Sequence, residues 1–186
     1  KTGGSSFNNL LVKIYGHRHI FHASNDVQEA RKYLKELNSH KRENIQVLTS
    51  HTKYDFAKTI FSDKNITSIT LLRDPVQRVK SQINYIYSTP THFLHKRIKE
   101  CIEQNQRLDK LFAEFPNFRN LQCLMLSGEK SAVKAIESIH DNIKIIGSTC
   151  KYENFVRDCC KDFGWKTEGI ELNQKCNQSL VSLDVD

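Results

Sequence analysis

Apolar residues recur at helical spacing near the start of the chain. Phe7, Leu10, Leu11 and Ile14 stand at i, i+3, i+4 and i+7, which predicts one apolar helix face over 5–15. Residues 17–22 (HRHIFH) alternate and predict a short strand; Asn25 then stands where it can cap a helix that turns Val27, Ala30, Leu34 and Leu37 inward. A β-branched and apolar strand follows at 45–48 and stops at Thr49-Ser50-His51, before a short helix over 54–61. The run ITSITLL (66–72) predicts a buried strand ending at Arg73-Asp74-Pro75, with Asp74 able to cap a helix and Pro75 suited to its first turn, so a helix is expected from Pro75 to about Tyr87. Helical patterns follow around 92–104, 107–115, 118–126 and 130–140, then a strand at 143–146. The last clear helix, 151–163, gathers Tyr152, Phe155, Val156, Cys159 and Phe163 on one face.

Apolar strands alternating with helices, without regular hairpin signals, point to an α/β domain with a mainly parallel sheet. No linker or internal repeat divides the chain, so residues 1–186 read as a single domain with a helical insertion between the strands at 66–72 and 143–146. Its 186 residues, 38% of them apolar, suffice for a real core. No apolar run approaches the roughly 20 residues that a membrane-spanning helix needs.

Charge adds an asymmetry. Residues 1–99 carry 17 basic and 7 acidic side chains, whereas 100–186 carry 11 and 14. The whole basic excess lies in the first part, as expected for an anionic partner such as a nucleotide, nucleic acid, membrane surface or acidic polysaccharide. Six cysteines (Cys101, Cys123, Cys150, Cys159, Cys160, Cys176) all lie in the second part with no C-x-x-C pair, so no zinc site is expected, while disulfides and free thiols both stay open. Two glycosylation sequons, at Asn65 and Asn177, lean toward a secretory route.

Three stretches could carry chemistry. Lys1-Thr2-Gly3-Gly4-Ser5-Ser6 leads into a helix, and its glycines let main-chain N–H groups approach an anion; Lys precedes the glycines, unlike the order of a Walker A loop. Arg73 stands at the carboxyl end of its strand, where open α/β sheets bind ligands, and Ser81 falls nearly opposite the stripe formed by Val76, Val79, Ile83, Ile86 and Tyr87. Arg73 could therefore clamp a phosphate to which the Ser81 hydroxyl donates. His51 also follows a strand end, where an imidazole suits general-base work on a hydroxyl, or else caps the helix after it.

Together these stretches resemble a known family. KTGGSSF (1–7) resembles the 5′-phosphosulfate loop, and LLRDPVQRVKS (71–81) the 3′-phosphate motif, of carbohydrate sulfotransferases that use 3′-phosphoadenosine 5′-phosphosulfate (PAPS). Between them SHTKYDFAKTIF (50–61) is similar to the segment holding the catalytic His in the heparan sulfate 2-O-sulfotransferase group, although Ser50 stands where that family usually has Gly. Galactose 3-O-sulfotransferases are similar around NITSITLLRDP (65–75), and residues 143–165 resemble the family's late strand and helix. The resemblance implies a three-layer P-loop-like fold with a mainly parallel central sheet, and an enzyme moving a sulfuryl group from PAPS to a carbohydrate hydroxyl without a metal. It makes Lys1, Thr2, Gly3, Gly4, Ser5 and Ser6 the 5′-phosphosulfate cradle, Arg73 and Ser81 the 3′-phosphate contacts, and His51, aided by Lys1, the catalytic group.

The same resemblance implies an acidic or neutral glycan acceptor, no nucleic-acid partner, and a Golgi lumen location for a eukaryotic source or the cytoplasm otherwise. It calls for a strand before Lys1 and a helix after LNQKCNQS (172–179), and the loop pattern already present at Lys1, with no initiator Met or signal peptide, leaves room for a membrane anchor upstream of that strand. Two other function classes compete: a nucleotide-dependent kinase with a variant phosphate loop, which needs a strand-end carboxylate for magnesium, and a non-enzymatic basic module for heparin or nucleic acid. The only strand-end acid, Asp74, suits a helix cap better than a magnesium ligand.

Overall fold

The computed structural model describes residues 4–23, 26–53, 55–104, 112–115 and 118–168. Helix α1 (Gly4–Tyr15) buries Leu10 and Leu11 as its spacing requires, and Gly16 ends it at φ 75°, a left-handed turn that costs glycine no Cβ clash. That reversal winds His17–His19 into a 3-10 turn, so the alternation over 17–22 becomes strand only at β1 (Ile20–His22). Helix α2 (Val27–Glu36) is capped by Asp26, whose carboxylate accepts the N–H groups of Gln28 (2.7 Å) and Glu29 (3.1 Å). The cap thus falls one residue after Asn25, which lies outside the described residues, as does the side chain of Val27. Ala30 and Leu34 are buried as expected, and Leu37 is half-buried.

Asn38 caps a short helix, α3 (Ser39–Glu43), that the apolar pattern does not signal. Then come β2 (Val47–Thr49), α4 (Phe56–Ile60), β3 (Ser68–Leu72) and α5 (Pro75–Tyr87). Asp74 accepts the Gln77 N–H at 2.9 Å with Pro75 in the first turn, which is the start expected for α5. The segment between the strands contributes α6 (His95–Glu103), α7 (Leu121–Ser127) and α8 (Ala132–Asn142). The pattern at 107–115 falls mostly outside the described residues. Strand β4 (Ile143–Ser148) and α9 (Tyr152–Phe163) complete the order.

The chain is α/β with parallel strands. Among the described residues the strands form two separate pairs and not one central sheet: β1 lies along β2 with Phe21 opposite Leu48, and β3 along β4 with Leu72 opposite Ser148. Strands β1 and β2 are three residues each, and each is bonded to the other alone in its sheet. Three apolar clusters hold these units. One packs Phe21, Ala30, Leu34, Phe56, Ile60 and Phe61 around the first pair; a second joins α5 to α6 through Ile83, Ile86, Ile98 and Cys101. The third seats Leu10 of α1 and Phe155, Val156 and Cys159 of α9 against Ile145 of β4.

Cys101, Cys123, Cys150, Cys159 and Cys160 are all free thiols, and Cys176 lies outside the described residues. Burial pushes the Cys159 thiol up to about 12, so it stays protonated and serves as packing. Asn65 is exposed, and Asn177 lies outside the described residues. No helix among the described residues is long and apolar enough to cross a membrane.

Close packing in the third cluster leaves one test. A Cβ at Gly147 would sit 2.3 Å from Cγ of Phe155, a ring only 2% exposed. Gly147→Ala should therefore cost roughly 1–3 kcal/mol through overpacking, read as a lowered midpoint in a denaturant melt. An unchanged midpoint would mean that α9 shifts freely on β4.

Candidate functional site

The end of β3 is the best-defined part of the candidate site. Arg73 directly follows the strand and is half-buried. Its main chain is held from the side by Gln122 of α7: the carboxamide oxygen accepts the Arg73 N–H and the carboxamide nitrogen donates to the Arg73 carbonyl, each at 2.8 Å. Asp74 then turns the chain into α5, and Ser81 lies half-buried on that helix. The cap and first turn of α5 therefore follow Arg73 directly in the chain, so a basic residue stands next to a positive helix end in sequence.

Sequence periodicity places Val79, Ile83, Ile86 and Tyr87 of α5 on the core side, where the structure has them, and errs at the first turn. Val76, expected inward, is 60% exposed, whereas Arg78 is 4% exposed. The arc turns toward Arg78 because its guanidinium has partners there: Nη1 donates to Oε1 of Gln82 at 2.7 Å and Nη2 to the carbonyl of Phe118. Burial lowers the Arg78 pKa from its ordinary value. A pattern search that treats Arg as polar and outward-facing cannot find such a residue.

His51 is exposed in the bend after β2. Around it the Ser50 and Thr52 hydroxyls bond each other at 2.7 Å, and Ser50 Oγ also accepts the Thr52 N–H at 3.4 Å. Helix α4 begins at Phe56 with Asp55 as its flanking residue, so His51 does not cap it. That leaves the imidazole without a role in building the helix. Sequence reading passed over His22, which ends β1 opposite Thr49 and pairs its Nδ1 with Thr49 Oγ1 at 2.6 Å, only two residues before His51. Only the parallel register brings these residues to one edge.

Of the Gly-rich stretch, Gly4, Ser5 and Ser6 form the first turn of α1, and Lys1, Thr2 and Gly3 lie outside the described residues. A Cβ at Gly4 would meet no neighbour within 4 Å. The helix itself is fixed at both ends of its apolar face, with Phe7 5.0 Å from the Phe155 ring and Tyr15 accepting the Trp165 indole N–H at 2.7 Å.

Helix α7 braces the end of β3. Its start holds Arg73 through Gln122, and just past its end a Cβ on Gly128 would lie 3.1 Å from Nζ of Lys53. Seven helical residues rise on the order of 10 Å, so the Arg73 turn and the Lys53 ammonium lie at opposite ends of one short helix. Arg73 and Lys53 put cationic residues beside the two ends of α7, while Asp74 is committed to the α5 cap and His22 and His51 stand at the end of the first strand pair. A basic strand end suits anion binding. In comparisons with known proteins, the chain matches no family model and no curated relative.

The commitment of Asp74 can be checked. Asp74→Ala should cost about 0.5–2 kcal/mol, whereas Asp74→Ser, itself a good cap, should keep most of the stability. Equal losses in both variants would show that the charge matters and not the cap.

Proposed function

We propose that this chain is a carbohydrate sulfotransferase using PAPS, built on a three-layer P-loop-like plan. The observation that carries the reading is the turn at the end of β3: a half-buried Arg73, clamped by Gln122, leads directly into the Asp74-capped helix that bears Ser81. The donor set suits the group. A guanidinium, a hydroxyl and the first turn of α1 are all complementary to phosphate and sulfate oxygens, and the ordered sequence motifs assign them consistently.

PAPS supplies the sulfuryl group and its leaving phosphate. Arg73 and Ser81 hold the 3′-phosphate and so fix the nucleotide. Lys1, Thr2, Gly3, Gly4, Ser5 and Ser6 surround the 5′ end, where Lys1 and main-chain N–H groups meet charge on the departing oxygen as the sulfur–oxygen bond breaks. His51 takes the proton of the acceptor hydroxyl while that oxygen bonds to sulfur. The products are a sulfated glycan and adenosine 3′,5′-bisphosphate, with the proton left on His51. The basic first part of the chain suits both the nucleotide and an acidic acceptor such as a glycosaminoglycan, in the Golgi lumen of a eukaryotic source.

Nucleotide selectivity tests the phosphate contacts. Arg73→Ala should weaken adenosine 3′,5′-bisphosphate by roughly tenfold to a hundredfold, and adenosine 5′-phosphate far less, because a charge-assisted bond to the 3′-phosphate is lost. Equal weakening of both ligands in calorimetry would reject the assignment.

His51 is tested by turnover. With PAPS and desulfated heparan, dermatan or galactoside acceptors, His51→Ala should keep its melting temperature and nucleotide affinity yet lose roughly 10²- to 10⁴-fold in rate. A folded variant with full turnover would sink the general-base role.

A further inference from the structure

We infer that Gln122 is a positioning residue for Arg73, and that it sets how sharply the end of β3 separates a 3′-phosphorylated nucleotide from one lacking that group. The inference rests on the sulfotransferase reading, since it concerns the same phosphate contact. Strand β3 stops at Leu72, so Arg73 has left the ladder with β4 and needs other partners for its main chain. The Gln122 carboxamide supplies both. It accepts the Arg73 N–H and donates to the Arg73 carbonyl at 2.8 Å, as an added strand would, from a residue 49 positions away.

Gln122 is itself held in place. Four residues earlier, the Phe118 carbonyl receives Nη2 of the buried Arg78, so two arginines of the α5 segment grip the stretch 118–122 at both ends. Between these anchors Asn120 takes φ 50°, the left-handed region, and it is the one non-glycine residue among the described residues to do so. Asn tolerates this conformation better than most residues, and Nδ2 of Asn120 donates to the Lys130 carbonyl at 3.3 Å. The chain accepts a strained turn there, and the turn sets Gln122 against Arg73.

The consequence lies in the base of the Arg73 side chain. A guanidinium whose Cα is fixed loses less freedom on meeting a phosphate than one on a loose turn, so the clamp favours the ligand that makes this contact and leaves other ligands alone. Gln122 bonds the Arg73 main chain and not the phosphate. It acts through Arg73.

The test compares affinities for adenosine 3′,5′-bisphosphate and adenosine 5′-phosphate by calorimetry. Gln122→Ala removes the clamp, and Gln122→Met removes it while keeping the side-chain volume, which preserves the test if the alanine variant does not fold. Ser131→Ala, which removes the α8 cap, serves as a purely structural control. Both Gln122 variants should lose about five- to tenfold of the affinity ratio between the two nucleotides, while Ser131→Ala lowers the melting temperature and leaves the ratio intact. A folded Gln122→Met protein with the wild-type ratio overturns the inference and spares the sulfotransferase reading. An equal loss in Ser131→Ala also overturns it, by reducing Gln122 to general stability. A wild-type protein with no preference for the 3′-phosphate removes the reading and the inference together.

Discussion

The parallel pairing of β3 with β4 is the constraint from which most of the architecture follows. Two parallel neighbours cannot be joined by a hairpin, so the chain between them must leave one end of the pair and return at the other. Helices α5 to α8 are that return path. They pack where the path leads them: α6 on α5 through Ile83, Ile86 and Ile98, and α7 beside the point where β3 ends. On one face of the pair α1 and α9 close a cluster around Phe155, which itself needs the missing side chain of Gly147. Pairing, crossover and core are therefore mutually dependent.

That dependence explains why polar groups stand at the strand ends. In each parallel pair the carboxyl ends of the two strands come out together, and the loops that follow them share that end of the pair. Arg73 follows β3, and His51 follows β2 beside the His22–Thr49 pair. Helix α7 then holds the Arg73 turn through Gln122, so an element from the crossover becomes the brace of the β3 end. Both arginines of this region are tied to the crossover. Arg78 bonds the Phe118 carbonyl and the Gln82 amide through its guanidinium, and half-buried Arg73 is bonded to Gln122 through its main chain.

The sequence made legible whatever rests on local rules. Asp74, Pro75 and the apolar positions through Tyr87 specify α5 at both ends, because a cap and a first-turn proline act within a few residues. Phe155, Val156 and Cys159 were equally readable as the inner face of α9. Tertiary recruitment was not legible. Gln122 bonds a residue 49 positions away and Arg78, besides its i+4 bond to Gln82, one 40 positions away, and nothing near them in the chain announces those long-range bonds. His22 became relevant only through its register with Thr49, and the cap of α2 at Asp26 rests on a carboxylate that accepts two N–H groups. Division into two strand pairs also escaped periodicity, which identifies strands and says nothing about neighbours.

The two strand pairs differ in what they ask of an unfolded chain. Joining Ile20 to Val47 closes a loop of about 27 positions, and joining Ser68 to Ile143 one of about 75, a difference worth only about 1 kcal/mol of closure entropy. The larger cost is order. The first pair can zip with its own local cluster of Phe21, Leu34 and Phe56, whereas the second is rewarded only after the whole helical crossover has condensed. The turn carrying Arg73 therefore has its native partners only once that crossover has formed, since it is held by a helix from the middle of it.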